Sequence, residues 1–312
     1  MDSSDSAQKV NILERNIQRA IKGKKEVIRD VIVALLSGGH VLIEDVPGVG
    51  KTTLAQALAK STNLSYNRIQ FTSDLLPSDI LGVSTFNQNT SEFKFNPGPI
   101  FSSIVLADEI NRATPKTQSA LLQAMSESRV TVDGKTYKLV DPFLVIATQN
   151  PFEYKGTFPL PENQLDRFAI RISIGYPDYD SEKEIITNSN PYKSGDDLRP
   201  VVSKDDILYL QSLVEKVNID ESILEYILDI VNKTRDNSLF ELGVSPRGTI
   251  ALKLAAQANA VIEGRDYCIP DDVKNMAVAV LAHRVIMKNE VSRISTEEEA
   301  IKEVLESIKV PH

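Results

Sequence analysis

The sequence is poor in the features that mark secreted and membrane proteins. Among its 312 residues there is one cysteine, Cys268, and no tryptophan. A single cysteine cannot form a disulfide within the chain, which fits a reducing compartment. No apolar run reaches the roughly 18 to 20 residues of a membrane span, and residues 1–6 lack the basic and apolar segments of a signal peptide. These absences predict a soluble, cytoplasmic protein.

Positive charge is also in short supply. Lys and Arg number 35 against 43 Asp and Glu, which gives a formal net charge of −8 at pH 7. Bulk charge of this sign disfavours nonspecific binding to nucleic acid. Hydrophobic residues make up 42% and charged residues 25%, an ordinary globular balance. The length predicts one large domain or two unequal ones.

The most informative stretch joins an apolar strand to a helix through a loop that contains glycine. Residues 41–44 read VLIE, a buried-strand pattern, and residues 45–53 read DVPGVGKTT. Gly48 and Gly50 allow the backbone to curl so that several N–H groups point at one anion. The helix that begins near Lys51 adds the positive end of its dipole. The pattern predicts a phosphate-binding loop.

Two side chains of this loop carry specific chemistry. Lys51 can reach the β- and γ-phosphates of a nucleotide, and the hydroxyl of Thr52 can hold Mg²⁺. The strict motif has glycine where Asp45 stands, which leaves the geometry of the loop open. The residues predicted to contact the nucleotide here are Pro47, Gly48, Val49, Gly50, Lys51, Thr52 and Thr53.

Two further buried strands end in polar side chains. Residues 103–107 lead into Asp108 and Glu109, and residues 143–148 are followed closely by Asn150. Ligands bind at the carboxyl edge of parallel sheets, so Asp108 is expected to hold Mg²⁺ and Glu109 to polarise an attacking water. Asn150 could report the γ-phosphate through its amide, or it could simply cap a turn.

Two hairpins interrupt the alternation of strands and helices. The first pairs residues 83–87 with residues 92–95 across the polar stretch 88–91. The second is centred on an Asp-Gly turn within residues 130–139, which is a strong hairpin signal. Before the phosphate loop, residues 1–8 are polar and expected to be frayed.

A polar stretch from about residue 181 to residue 200 is taken as a domain boundary. We predict a nucleotide-binding core over residues 1–190 and a helical domain over residues 191–312. Ser245 is expected to cap a helix in whose first turn Arg247 lies. The helix dipole disfavours a cation there, so Arg247 either lies near an anion or swings out to solvent.

Arg167 raises a similar choice. It follows Asp166 directly, so the pair could form an ordinary surface ion pair of little energetic weight. It could also act on a site in another copy of the chain. The residues alone leave both readings open.

The order of these motifs resembles that of AAA+ ATPases, and most closely the MoxR family within the helix-2-insert clade. The resemblance rests on four stretches, which read EDVPGVGKT at 44–52, DLLPSDI at 74–80, ADEINRA at 107–113 and GTFPLPE at 156–162. It implies a three-layer αβα core with a five-stranded parallel sheet, followed by a smaller all-helical lid domain.

The resemblance also implies roles for residues around the phosphate loop. Lys51 and Thr52 correspond to Walker A, and Asp108 and Glu109 to Walker B, with Glu109 as the catalytic base. Asn150 corresponds to sensor 1. The implied substrate is ATP, and the implied metal is Mg²⁺, bound by Thr52 and Asp108.

Four further residues receive roles only through the resemblance. Arg167 matches the arginine finger, which acts on the ATP of a neighbouring subunit. Arg247 matches sensor 2, which couples the lid to the γ-phosphate. Gly23 and Lys24 fall where the adenine pocket of the family lies. The hairpin at residues 83–95 matches the helix-2 insert.

Members of the family are thought to be chaperone-like ATPases, often with partners that carry a von Willebrand factor A domain. A finger supplied by a neighbour also requires assembly, because one arginine can contribute about 10³ to 10⁵ in rate. A head-to-tail arrangement of identical chains that closes gives a ring. We therefore predict a homo-oligomer, expected to be hexameric.

Three other functions are compatible with parts of this pattern. A GTPase-like switch normally carries Asn-Lys-x-Asp after a strand, whereas residues 232–235 read NKTR within a helical pattern. A DNA-remodelling motor is disfavoured by the acidic balance, although Lys135 and Lys138 lie in the second hairpin. A metal-chelatase-type subunit shares the insert and stays open.

Overall fold

The computed structural model describes residues 3–89, 91–151, 156–188, 198–288 and 296–311. The helices are α1 Ser3–Gln18, α2 Lys25–Leu36, α3 Lys51–Thr62, α4 Pro77–Leu81, α5 Pro115–Glu127, α6 Glu162–Leu165, α7 Tyr179–Asn188, α8 Lys204–Val214, α9 Glu221–Arg235, α10 Pro246–Ile262, α11 Pro270–Leu281 and α12 Glu297–Ser307. Two short 3-10 helices cover Ile110–Arg112 and Ala282–Arg284. None of the described helices is long and apolar enough to cross a membrane.

The strands are β1 Val41–Glu44, β2 Tyr66–Gln70, β3 Gly82–Asn87, β4 Glu92–Pro97, β5 Ile104–Asp108, β6 Arg129–Val132, β7 Lys135–Lys138, β8 Leu144–Gln149, β9 Ile170–Ile172, β10 Phe240–Leu242 and β11 Ile286–Met287. Five of them form one parallel sheet in the order β2-β5-β8-β1-β9. Its three inner strands β5, β8 and β1 are continuous apolar runs because both faces of the sheet are covered. The expected five-stranded parallel sheet is confirmed.

Side chains alternate between two apolar layers along the inner strands. On β1, Val41 and Ile43 face a layer built from α1, α2 and α3, whereas Leu42 faces a layer that includes α5. All three side chains are fully buried. This division confirms the three-layer αβα core.

The two expected hairpins are present outside the central sheet. β3 pairs antiparallel with β4, and β6 pairs antiparallel with β7. Phe95 of the first hairpin stacks on Tyr137 of the second, with ring centroids 4.1 Å apart. The turn of the first hairpin includes residue 90, which lies outside the described residues.

The lid differs from expectation in one respect. It consists mainly of α8 to α12, but β10 and β11 form a two-stranded antiparallel ribbon within it, so the lid is not all-helical. Strands of three and two residues are too short for alternation of polarity to be recognised. The predicted boundary between residues 190 and 191 lies outside the described ranges.

Lid and core share one continuous apolar cluster. It includes Leu13 of α1 and Ile32 of α2 together with Leu252 of α10. Polar contacts reinforce the junction, because Arg29 Nε donates to Asn259 Oδ1 at 3.2 Å. The lid therefore packs against the first two helices of its own chain.

The expectation of a frayed start over residues 1–8 is wrong for the residues that the structure describes. α1 already begins at Ser3. Lys9 Nζ contacts Asp206 Oδ1 of the lid at 2.5 Å, and Val10 and Leu13 are buried. The first turns are polar in sequence, but docking on the lid stabilises them, and tertiary packing outweighs local propensity.

His40 lies at the start of β1 as a buried packing residue. Its Nδ1 accepts from the backbone N–H of Val145 at 3.0 Å, and its Nε2 donates to the carbonyl of Met125 at 3.1 Å. Burial lowers the pKa of His40 to about 4. The neutral ring is therefore the form that the native structure holds.

Replacing His40 with glutamine should change how stability depends on pH. Between the unfolded pKa of about 6.5 and the folded pKa of about 4, acid protonates the unfolded chain first and favours unfolding. The stabilisation by neutral His40 should thus shrink by about 1.4 kcal/mol for each pH unit below 6.5. Urea unfolding across this pH window gives the difference in the free energy of unfolding between wild type and His40→Gln. The contributions of the other titrating groups cancel in this difference. A difference in unfolding free energy that does not change with pH would contradict the prediction.

Candidate functional site

The phosphate loop occupies residues 45–50, between the end of β1 and the start of α3. Its positive φ angles fall on Gly48, at +89°, and Gly50, at +99°. Both lie in the left-handed region that side chains with a Cβ rarely adopt. The two glycines thus let the loop turn back on itself at the N-terminus of α3.

Asp45 explains why glycine is not required at the first position of the loop. Asp45 is not one of the described residues with positive φ, so its backbone does not need the conformational freedom of glycine. Its carboxylate accepts hydrogen bonds from the backbone N–H of Val46 at 2.9 Å, from Ser173 Oγ at 3.0 Å and from the N–H of Gly175 at 2.7 Å. The side chain ties the loop to the segment after β9.

Lys51 is the first residue of α3 and points back along the loop. Its ammonium donates to the carbonyl of Asp45 at 2.5 Å. Burial lowers the pKa of Lys51, and the negative charges of Asp45, Asp108 and Glu109 partly oppose that shift. The ammonium is held by one backbone carbonyl, which an arriving phosphate oxygen could replace.

The carboxylate of Asp108, at the end of β5, has two partners. Thr148 Oγ1 of β8 donates to Oδ1 at 2.6 Å, and Arg68 of β2 pairs with Oδ2 at 2.6 Å. The Arg68 side chain is 47% exposed, so this ion pair is weak and easily exchanged. Asp108 therefore offers one ordered oxygen and one that holds an exchangeable cation.

Glu109 has an unusual backbone conformation. Its φ of 58° and ψ of 50° are left-handed for a residue that carries a side chain. Gln70 Nε2 donates to Oε2 of Glu109 at 2.6 Å, and Arg112 Nε lies 3.3 Å from the same oxygen. The turn and these two partners direct the carboxylate beside that of Asp108.

These groups line one cleft of about 390 Å³. Nine of the predicted residues are brought together there, namely Pro47, Gly48, Gly50, Lys51, Thr52, Thr53, Asp108, Glu109 and Asn150. Val49 instead packs against the apolar core. Arg68 and Thr148, which sequence reasoning missed, complete the walls.

Arg167 and Arg247 lie elsewhere. Neither is among the residues that line this cleft within the described ranges. Arg167 Nη1 donates to the carbonyl of Leu122 at 3.0 Å and to Ser126 Oγ at 2.8 Å. Arg247 is exposed in the first turn of α10.

A shared carboxylate connects the segments that carry these two arginines. Ser245 Oγ caps α10 by accepting from the N–H of Gly248, as predicted, and it donates to Asp166 Oδ2 at 2.9 Å. Asp166 directly precedes Arg167. Asp166 thus links the segment that carries Arg167 to the start of the helix that carries Arg247.

Gly23 and Lys24 line a separate depression between α1 and α2. The same segment of the chain passes close to the phosphate loop, since a Cβ on Gly50 would lie 3.5 Å from Cδ1 of Ile21. Lys24 Nζ donates to the carbonyl of Tyr176 at 2.8 Å. The two residues are neighbours of the phosphate cleft but not part of its walls.

The residues of the cleft fit a nucleotide phosphate and a hard metal ion. The left-handed glycines and the start of a twelve-residue helix supply N–H groups for an anion. Thr52 and Asp108 supply the oxygen ligands that Mg²⁺ prefers. Arg68 on Asp108 shows that this carboxylate can balance a positive charge.

Comparisons with known proteins agree with this arrangement. The family model described as ATPase family associated with various cellular activities (AAA) matches residues 40–170, and an AAA lid domain model matches residues 232–304. The chain is 38% identical to Chaperone MoxR1 of Mycobacterium tuberculosis, over 98% of its own length and 84% of that protein. The chain belongs to the MoxR family of AAA+ ATPases.

Two further relatives also match over nearly the whole length of the chain. The uncharacterised protein YeaC of Bacillus subtilis is 52% identical over 95% of this chain and 93% of its own. The crystal structure of a "putative ATPase" of Cytophaga hutchinsonii superposes with a TM-score of 0.89, at 38% identity, over 99% of this chain and 97% of that one. Core and lid together are thus those of a MoxR-family ATPase.

Two functional candidates on β2 escaped sequence reasoning. Arg68 and Gln70 alternate with buried Ile69, and Gln70 lies opposite Asp108 in the register of β2 on β5. Their polarity at alternate positions was readable, but the pairing of β2 with β5 was not. The neighbours of Asp108 and Glu109 follow from that pairing.

Proposed function

We propose that the chain hydrolyses ATP with Mg²⁺ at a site that a neighbouring copy completes, and that this drives the remodelling or assembly of partner proteins. The observation that carries the proposal is that the residues needed for catalysis lie in two separate places on the chain. The cleft gathers the phosphate loop, the two acidic residues and Asn150, while Arg167 lies outside it. A head-to-tail neighbour could present Arg167 to this cleft.

Each residue of the cleft has a distinct task. The loop amides and Lys51 would bind the phosphates, and Thr52 and Asp108 would hold Mg²⁺, which would supply positive charge beside the phosphate oxygens. The Glu109 carboxylate accepts a proton from the attacking water. Asn150 orients the γ-phosphate through its amide.

Arg167 and Arg247 would serve the neighbour's site together. Charge develops on the equatorial oxygens of the transferred group, and a fixed cation there stabilises the transition state. The link between their segments through Ser245 and Asp166 supports joint delivery. Such contacts repeat around a closed ring, for which we propose six copies.

ATP hydrolysis per chain, measured in Mg²⁺ against protein concentration, tests the shared site. We expect the rate per chain to rise with concentration and to level off as sedimentation shows assembly. A monomer in sedimentation that hydrolyses ATP at a rate independent of concentration would contradict the proposal. Omitting Mg²⁺ should abolish hydrolysis.

Work on proteins is supported by the name of the Mycobacterium tuberculosis relative, Chaperone MoxR1. We propose as partner a protein with a von Willebrand factor A domain from the same organism. Adding such a protein should change the rate of ATP hydrolysis. Duplex DNA added under the same conditions should leave it unchanged.

Gly23→Ala tests the proposed adenine pocket. Gly23 has a φ of +69°, and a Cβ there would lie 2.4 Å from Ser181 Oγ and 2.9 Å from Asp178 Oδ2, so these side chains must move. Gly38→Ala is the matched control, because its φ is +67° but nothing lies within 4 Å. Both should lose about 1 to 2 kcal/mol of stability through backbone strain.

Only Gly23→Ala should also weaken ATP binding. The expected loss is about fivefold to tenfold, which corresponds to roughly 1 kcal/mol of binding free energy. Titration with a fluorescent ATP analogue and thermal unfolding of both variants provide the two readouts. Equal affinity in the two variants would remove Gly23 from the nucleotide pocket.

A further inference from the structure

One lid residue, Arg284, is buried against the segment that carries Arg167. Its side chain is 2% exposed, and its Nε donates to Asp166 Oδ1 at 2.9 Å. The same guanidinium donates to the carbonyls of Asp166, Phe168 and Ala169. Arg284 thus bonds residues on both sides of Arg167.

The segment that receives these bonds is a short connection between α6 and β9, at residues 166–169. Phe168 is fully buried, so its carbonyl needs partners within the protein. Arg284 and His283, whose Nε2 donates to the carbonyl of Phe168 at 3.0 Å, supply them from the 3-10 helix at the end of α11. The conformation of the connection therefore depends on the lid.

The start of α10 leaves room for this arrangement. A Cβ on Gly248 would lie 2.7 Å from Cδ of Arg284, so a larger residue would displace the arginine. Ser245, three residues earlier, donates to the carboxylate of Asp166 that Arg284 also binds. Two lid elements converge on one carboxylate beside Arg167.

Arg167 itself is braced on the opposite side by α5, through Leu122 and Ser126. The described hydrogen bonds of Arg284 go to the Asp166 carboxylate and to backbone carbonyls, and not to the Arg167 side chain. It fixes the backbone on either side of that side chain. A shift of about 1 Å in a reacting group can cost 10²-fold in rate, so such fixing has catalytic consequences.

We propose that Arg284 is a positioning residue for Arg167, which fixes residues 166–169 so that the Arg167 guanidinium reaches the ATP of the neighbouring copy. The inference rests on the proposed function, in which Arg167 acts across an interface. It assigns the lid a second task, because movement of the lid would move the finger. A purely structural arginine would hold the lid without affecting the neighbour's site.

The test uses Arg284→Met, which removes the charge but retains a long apolar side chain, and Asp166→Asn, which removes the charged partner without changing its shape. Both should bind ATP with wild-type affinity and hydrolyse it about 10²-fold more slowly. Arg265→Met is the matched control. Arg265 is another lid arginine with two bonds to a buried aspartate, Asp272, at the opposite end of α11.

Mixed assemblies separate a misplaced finger from a damaged fold. Each variant is co-expressed with Glu109→Gln subunits, which lack the proposed general base but keep an intact finger. In a ring assembled at random from equal amounts, about half of the variant's sites receive the finger of a Glu109→Gln neighbour. The rate per variant subunit should therefore recover to about half that of wild type. A mixture of Arg167→Ala with Glu109→Gln subunits gives the reference level of rescue. Binding of a fluorescent ATP analogue and sedimentation accompany each mixture.

Rescue of Arg284→Met or Asp166→Asn to the level of Arg167→Ala supports the proposal. Rescue of Arg167→Ala alone would overturn it, as would full activity of both variants or a loss of equal size in Arg265→Met. If Arg284→Met does not fold, Asp166→Asn decides the question. If Arg167→Ala is not rescued, the shared site of the proposed function fails, and the role of Arg284 fails with it.

Discussion

Replacing Arg167 with alanine should lower the rate of ATP hydrolysis per chain by about 10³-fold or more, with ATP affinity almost unchanged. Arg167 lies outside the cleft that holds the phosphate loop of its own chain, so its loss leaves the binding residues intact. Its guanidinium would stabilise charge that develops only in the transition state of the neighbour's reaction. The loss should therefore appear in kcat and not in KM.

The folded state should tolerate this substitution. Arg167 donates to the carbonyl of Leu122 and to Ser126 on α5, and it is only partly buried. Losing these bonds should cost about 1 kcal/mol of stability. Thermal unfolding and sedimentation would verify that Arg167→Ala remains folded and assembled.

Arg129→Ala is the control for the effect of charge. Arg129 pairs with Glu127 at 3.2 Å at the end of α5 and has a side chain that is 60% exposed. Its loss should change the rate by about twofold or less, because exposed pairs contribute little. Equal losses of hydrolysis rate in Arg167→Ala and Arg129→Ala would mean that the rate depends on surface charge in general, and that Arg167 is not the finger. A weaker ATP affinity in Arg167→Ala would place the residue in its own chain's site.

The nucleotide cleft was readable from the sequence because its parts are local. β1, β5 and β8 are rich in apolar residues, and residues that line the cleft lie at the end of each strand or within three residues after it. Strands of a parallel sheet end at one edge, so motifs far apart in the chain meet without further information. The family resemblance supplied roles for these positions, and the phosphate loop, the acidic pair and Asn150 lie together in the structure.

Features that depend on pairing between distant segments were not readable. Gln70 reaches Glu109 only because β2 lies beside β5. Arg284 reaches Asp166 only because the lid packs against the segment before β9. The ribbon of β10 and β11 likewise depends on pairing between two distant segments of the lid, and the helical start of α1 depends on contacts with the lid. Periodicity describes one element at a time and does not register its neighbours.

Glu109→Gln should abolish most hydrolysis while ATP stays bound. The amide has the shape of the carboxylate but cannot accept the proton of the attacking water, and loss of a general base costs about 10² to 10⁴ in rate. The phosphate loop and Lys51 are untouched, so ATP affinity should stay within about threefold of wild type. The left-handed turn at Glu109 depends on backbone geometry, and glutamine can retain it.

The measurement that checks this is a single turnover, in which excess protein is mixed with labelled ATP and hydrolysis is followed together with dissociation. Wild type should convert ATP before releasing it, whereas Glu109→Gln should release it unchanged. Glu127→Gln is the matched control, since Glu127 lies at the end of α5 and pairs with Arg129. Hydrolysis in Glu109→Gln within tenfold of the control would mean that another group takes the proton. Asp108, the second carboxylate that lines the described cleft, would then be the next candidate for the base.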